Sequence, residues 1–166
     1  MLDRNLLRRM LSGRVVVACV GNDWRCDDGV GPFVGKMVRP TDSLTVLDCG
    51  ETPENYLGVI ARLRPEKVVV VDAADFGGAP GEIRAIARDE IGGEAISTHA
   101  ARLVLLTDYV EASTGAQTFF VAIQPESLEF GAPMGSAVSA AARSLAEAMN
   151  RVVGSLGAGP GAGSGL

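Results

Sequence analysis

The 166-residue chain is short of histidine (one), cysteine (three), aromatic residues (5%) and basic charge. Each shortage removes a class of function. With 15 Lys and Arg against 20 Asp and Glu, a net charge of -5 excludes a chain held on nucleic acid by phosphate neutralisation. Cys19, Cys26 and Cys49 are odd in number and contain no C-x-x-C pair, which argues against a disulfide framework and a structural zinc site. Free thiols suit a reducing compartment, so a cytoplasmic location is expected. No apolar run approaches the roughly 18 residues of a membrane span. Asp3, Arg4, Arg8 and Arg9 interrupt the N-terminal leucines, so that segment reads as a short amphipathic helix rather than a signal peptide. No membrane partner is expected.

What is present is a chain with 47% hydrophobic residues, long enough for one domain with its own core. Val15-Val16-Val17-Ala18-Cys19-Val20 is a short, continuous, β-branched block of the kind buried on both faces of a parallel sheet. Leu44 to Asp48, Lys67 to Asp72 and Thr118 to Gln124 repeat the pattern. Between them, Val30, Phe33, Val34 and Met37, then Tyr56, Val59, Ile60 and Leu63, then Leu103, Leu106 and Val110 fall at helical spacing. A last helix is predicted from about Ser136 to Val153. Strands alternating with amphipathic helices predict an α/β fold, a three-layer α/β/α sandwich around a central, mostly parallel, twisted sheet. Gly81 to Ala87 is expected to add one antiparallel edge strand. Residues 1–156 then form a single domain, and 157–166, ten residues of which five are glycine, form a flexible tail.

Ligands of open α/β sheets bind beyond the carboxyl ends of the strands. There the first strand opens into Gly21-Asn22-Asp23-Trp24-Arg25-Cys26-Asp27-Asp28-Gly29-Val30-Gly31, the second ends at Asp48-Cys49-Gly50, the third at Asp72-Ala73-Ala74-Asp75 and the last at Gln124-Pro125. The glycine-rich loop lacks both G-x-G-x-x-G and G-x-x-x-x-G-K-[ST], and three aspartates would repel a phosphate. A cation suits it better. Asp27 or Asp28 could also serve as a plain helix N-cap, and His99 as a helix-capping or core-edge residue. Asp28, Asp72 and His99 could instead reach one point. Two carboxylates and one imidazole suit Ni, Zn, Fe or Mn with open positions left over.

The run Gly21-Asn22-x-x-x-x-Asp27-Asp28-Gly29-x-Gly31 resembles the opening signature of the hydrogenase maturation endopeptidases. Pro53-Glu54-Asn55, Val71-Asp72-Ala73-Ala74-Asp75, Pro80-Gly81-Glu82-Ile83-Arg84, Ser97-Thr98-His99 and Ile123-Gln124-Pro125 follow in that family's order. The resemblance spans roughly Val15 to Val153. It implies an aspartyl-type endopeptidase that removes the C-terminal extension of a [NiFe]-hydrogenase large-subunit precursor. It also implies that Asp28, Asp72 and His99 form both the metal-recognising and the catalytic set. Asn22, Asp48, Asp75 and Gln124 are then possible cleft residues. Nickel is expected to arrive with the substrate, although other divalent metals could occupy such a site.

A sole histidine committed to a metal leaves no imidazole base for a Ser or Cys nucleophile, and H-E-x-x-H is absent. The alternatives are a self-contained metal-dependent peptidase and a nickel-binding maturation chaperone that does not cut. A monomer is expected.

Overall fold

The computed structural model describes residues 1–91, 93 and 97–157. Asp3 Oδ2 accepts the N–H groups of Asn5 (3.0 Å) and Leu6 (3.1 Å), which starts α1 (Arg4–Leu11) and turns Leu7, Met10 and Leu11 inward. The expected N-terminal amphipathic helix is therefore present. The remaining elements are β1 (Val15–Val20), α2 (Val30–Gly35), β2 (Leu44–Gly50), α3 (Leu57–Leu63), β3 (Lys67–Ala73), β4 (Ile83–Ile86), α4 (Ala100–Thr114), β5 (Gln117–Ile123) and α5 (Ser136–Gly157). Short 3-10 turns occupy Cys26–Gly29, Pro53–Tyr56 and Arg88–Glu90.

The strands lie in the order β2-β1-β3-β5-β4. The first four are parallel, and β4 runs antiparallel to β5 at the edge, as expected for Gly81 to Ala87. The three-layer sandwich follows from side-chain alternation along the strands. Val15, Val17 and Cys19 pack with residues of α1, α2 and α5, whereas Val16, Ala18 and Val20 pack with residues of α3 and α4. Burying each such valine contributes about 1.5–3 kcal/mol, so covering both faces of β1 and β3 is a main source of stability. In β3 the side chains of Val68 and Val70 join the α3/α4 layer. Asp72 shares their parity and so lies on the face that α4 covers.

Two expectations need correction. Strand β2 is an edge strand whose Thr45 to Asp48 are half-buried or exposed, because a five-residue block of three apolar side chains with Thr45 and Asp48 does not distinguish edge from centre. Helix α5 continues past Val153 to Gly157. The flexible tail expected over 157–166 falls, from 158 onward, outside the described residues.

The chain leaves β1 toward β2 on one side and re-enters at β3 on the other. The crevice between the carboxyl ends of β1 and β3 is thus the topological switch point, where α/β sheets bind ligands. Helix α2 closes one side of it. A Cβ on Gly31 would fall 2.6 Å from the Val71 carbonyl and nearer still to that of Val20. Glycine there lets α2 rest directly on the two strands. Among the described residues no helix is long and apolar enough to cross a membrane.

Candidate active site

The loop after β1 closes on itself. Asn22 N–H donates to the Asp28 carbonyl (3.2 Å), Asp28 N–H donates to the Arg25 carbonyl (3.0 Å), and Asn22 Oδ1 accepts the Trp24 N–H (2.8 Å). Gly21, at φ +148°, has no room for a Cβ, which would collide with the Asp28 carbonyl. The loop thereby presents Asp28 at the switch point with 1% of its surface exposed.

The neighbouring aspartate does something else. Asp27 Oδ2 accepts the N–H groups of Glu126 (2.8 Å) and Ser127 (3.1 Å), and its Oδ1 accepts that of Gly135 (2.7 Å). Asp27 therefore fastens the loop after β5, and neither aspartate makes the N-cap considered for it, since neither the 3-10 turn nor α2 has a side-chain cap.

His99 is the buried residue that precedes the first turn of α4. Its Nδ1 lies 3.3 Å from Asp72 Oδ2, and its Nε2 lies 4.0 Å from Asp28 Oδ2. The three expected site residues thus meet at one imidazole, but from opposite ends. Asp72 is itself held: its Oδ1 accepts the Ala73 N–H (2.9 Å), and its Oδ2 accepts the Ser97 hydroxyl (2.5 Å). Ser97 Oγ in turn accepts the His99 N–H (3.0 Å). Thr98 Oγ1 donates to Asp28 Oδ1 (3.0 Å). In the neutral imidazole, a carboxylate at Nδ1 holds the single ring proton there and leaves the Nε2 lone pair toward Asp28. The positioning roles of Ser97 and Thr98 were not assigned from sequence; two hydroxyl residues just before a helix that starts at the sole histidine were the available signal.

Burial opposes charging of His99, yet the hydrogen bond and charge of Asp72, with the fields of Asp28 and Glu51, carry its pKa above the ordinary value. Burial likewise raises Asp72, against the lowering effect of His99 and Ser97. Val70, Ile86, Leu103 and Phe120 line an apolar space beside Asp72 and Ser97, which accounts for that desolvation.

Asp28 Oδ2 is buried and has no hydrogen-bond partner among the described residues. A buried carboxylate oxygen without a partner is costly, so the donor set fits a cation. One donor atom each from Asp28, Glu51 and His99 lie within 4.8 Å of one another. Glu51 was not singled out in the sequence. It reaches the site because Gly21 N–H donates to the Gly50 carbonyl (2.9 Å), joining the loops that follow β1 and β2.

The four possible cleft residues hold loops. Asp48 is exposed and accepts the Gly50 N–H (3.1 Å). Asp75 Oδ1 accepts Gln124 Nε2 (3.0 Å), while Gln124 Oε1 accepts the N–H groups of Phe76 (2.9 Å) and Gly78 (3.1 Å). Asn22 closes the Asp28 loop, as described above. The three cysteines are buried, and burial raises each thiol above its ordinary range, which leaves no ready thiolate.

Known proteins share this arrangement of elements. A family model described as HycI, hydrogenase maturation protease, matches residues 34–152. The chain is 38% identical over 122 residues to the Hydrogenase 3 maturation protease of Escherichia coli (strain K12), a match covering 72% of this chain and 78% of that protein. The crystal structure of a [NiFe] hydrogenase maturation protease HycI from Thermococcus kodakarensis KOD1 superposes with a TM-score of 0.81 at 34% identity, covering 90% of this chain and 99% of that one. The solution structure of an endopeptidase HycI from Escherichia coli gives 0.73 at 33% identity, covering 84% and 89%.

Proposed function

Because the chain belongs to the hydrogenase maturation protease family, and is on that ground a peptide hydrolase, we propose that it removes the C-terminal extension of a [NiFe]-hydrogenase large-subunit precursor, recognising nickel that the precursor carries. The observation that supports this reading is the buried Asp28 Oδ2, without a hydrogen-bond partner among the described residues and 4.0 Å from Nε2 of the sole histidine. Such a pair offers two donor atoms to an ion that another protein has already part-ligated.

The roles divide by geometry. Asp28 and His99 Nε2 face the nickel-bearing segment. Asp72 keeps the imidazole proton on Nδ1, and Ser97 and Thr98 hold the two carboxylates with their hydroxyl hydrogens. Those hydroxyls are donors already committed to carboxylates, and the sole imidazole is committed to Asp72, so no Ser–His or Cys–His pair is assembled among the described residues. Nickel brought by the substrate would supply Lewis acidity at the scissile carbonyl or a bound water. Buried free thiols fit action in a reducing cytoplasm.

The test is to incubate the chain with nickel-loaded and nickel-free precursor in parallel. Shortening of the loaded form alone is expected. Equal shortening of both would favour a self-contained peptidase, and shortening of neither would remove the proposed substrate.

A further inference from the structure

We infer that Trp24 and Phe130 form an aromatic docking surface beside the active-site crevice, and that its occupant is an apolar, basic-edged surface of the precursor; the inference rests on the precursor being the substrate. Trp24, the sole tryptophan, and Phe130 expose 72% and 77% of their surface. Exposed apolar side chains scattered singly are ordinary, but these two sit on loops that meet, because the Gly131 N–H donates to the Trp24 carbonyl (2.7 Å). Two such rings can bury roughly 150–250 Å² each, and tryptophan and phenylalanine are enriched where proteins bind one another.

The two loops form one rigid unit. Besides that bond, Asp27 accepts the N–H groups of Glu126, Ser127 and Gly135, the Asp27 N–H donates to the Ser127 carbonyl (3.2 Å), and the Cys26 thiol donates to the Pro133 carbonyl (3.0 Å). Cys26 is held at φ +50°, a left-handed conformation that a residue with a side chain keeps only where its surroundings enforce it. Rings on loops fixed in this way lose little freedom on binding. Their place identifies the occupant. The same loops lead into α2 and α5, which cover one face of the sheet, and the first of them carries Trp24 and Asp28 together. A protein whose peptide enters the crevice, with α4 on one side, meets this rim on the other. The exposed charges set the chemistry of that protein: Asp23 is paired with Lys36 (3.0 Å), whereas Glu126 and Glu129 have no ion pair among the described residues, and Arg25 is the one half-buried cation on these loops. Basic side chains round an apolar patch are the complement.

Fluorine NMR of the full chain carrying fluorotryptophan, titrated with unlabelled nickel-loaded precursor, tests the inference alongside trimming kinetics. The single resonance should shift or broaden as precursor is added. Trp24→Ala and Phe130→Ala, both folded by circular dichroism, should each raise KM at least about tenfold and leave kcat within about twofold, the pattern of lost uniform binding. A silent resonance, a parent-like KM in either variant, or a loss confined to kcat would overturn the docking role and leave the precursor as substrate. A resonance that responds to the concentration of the chain alone would assign the surface to a second copy and overturn it equally. No trimming of the precursor by the parent would overturn both readings.

Discussion

His99 Nδ1 lies 3.3 Å from Asp72 Oδ2, and that contact decides which ring nitrogen is left to face Asp28. Asp72→Asn replaces an acceptor-only group with one that can also donate, so the fixed tautomer is lost. Processing of nickel-loaded precursor should fall roughly 10–100-fold with the fold intact. At a pH above the folded pKa of His99, nitrogen NMR should show the proton on Nδ1 in the parent and a mixture of tautomers in the variant. An unchanged tautomer in Asp72→Asn would contradict the positioning role.

The same contact has a pH signature in metal-free protein. His99 has a folded pKa above its unfolded value, so its stabilisation is complete below about pH 6.5 and is lost as pH rises through the folded value. Asp72 is also raised, so the comparison must be between parent and His99→Gln rather than along the parent curve alone. In urea unfolding with chelator, the stability gap between them should be greatest near about pH 5.5 and shrink toward about pH 9. A gap that widens with pH would contradict the assignment.

Asp27 serves three backbone amides from a fully buried position. Asp27→Ala leaves all three donors without their acceptor and should cost about 3 kcal/mol or more, with Asp27→Asn costing less. Chemical denaturation measures both. A loss below about 1 kcal/mol in Asp27→Ala would mean that water replaces the carboxylate freely.

Gly31 is a packing requirement. The Cβ of Gly31→Ala would meet backbone of Val20 and Val71, atoms that cannot move without displacing β1 and β3. The variant should fail to accumulate as folded protein, judged by circular dichroism and thermal melting. A parent-like melt would show that α2 can shift without cost.

The parts legible in the sequence were those that depend on neighbours along the chain. Val15 to Val20 and the valines from Val68 to Val71 read as central strands because burial on both faces leaves an unbroken apolar run. Asp28, Asp72 and His99 could be selected because strand ends and helix starts converge at a switch point. The division of labour between Asp27 and Asp28 was not legible, since it depends on where residues 126 to 135 pack. Glu51 was hidden for a similar reason: its place depends on Gly50 at φ +53° and on Arg102 in α4. The hydrogen bond from Arg102 to the Glu51 carbonyl joins residues separated by 51 positions, a relation no local pattern encodes.

Intact-mass spectrometry of nickel-loaded large-subunit precursor, after incubation with the parent chain, His99→Ala or Asp28→Asn, tests the central claim most directly. The parent should reduce the precursor mass by its C-terminal extension, while both variants, folded by circular dichroism, should leave the mass unchanged. Full trimming by both variants, or an unchanged mass with the parent, would contradict it.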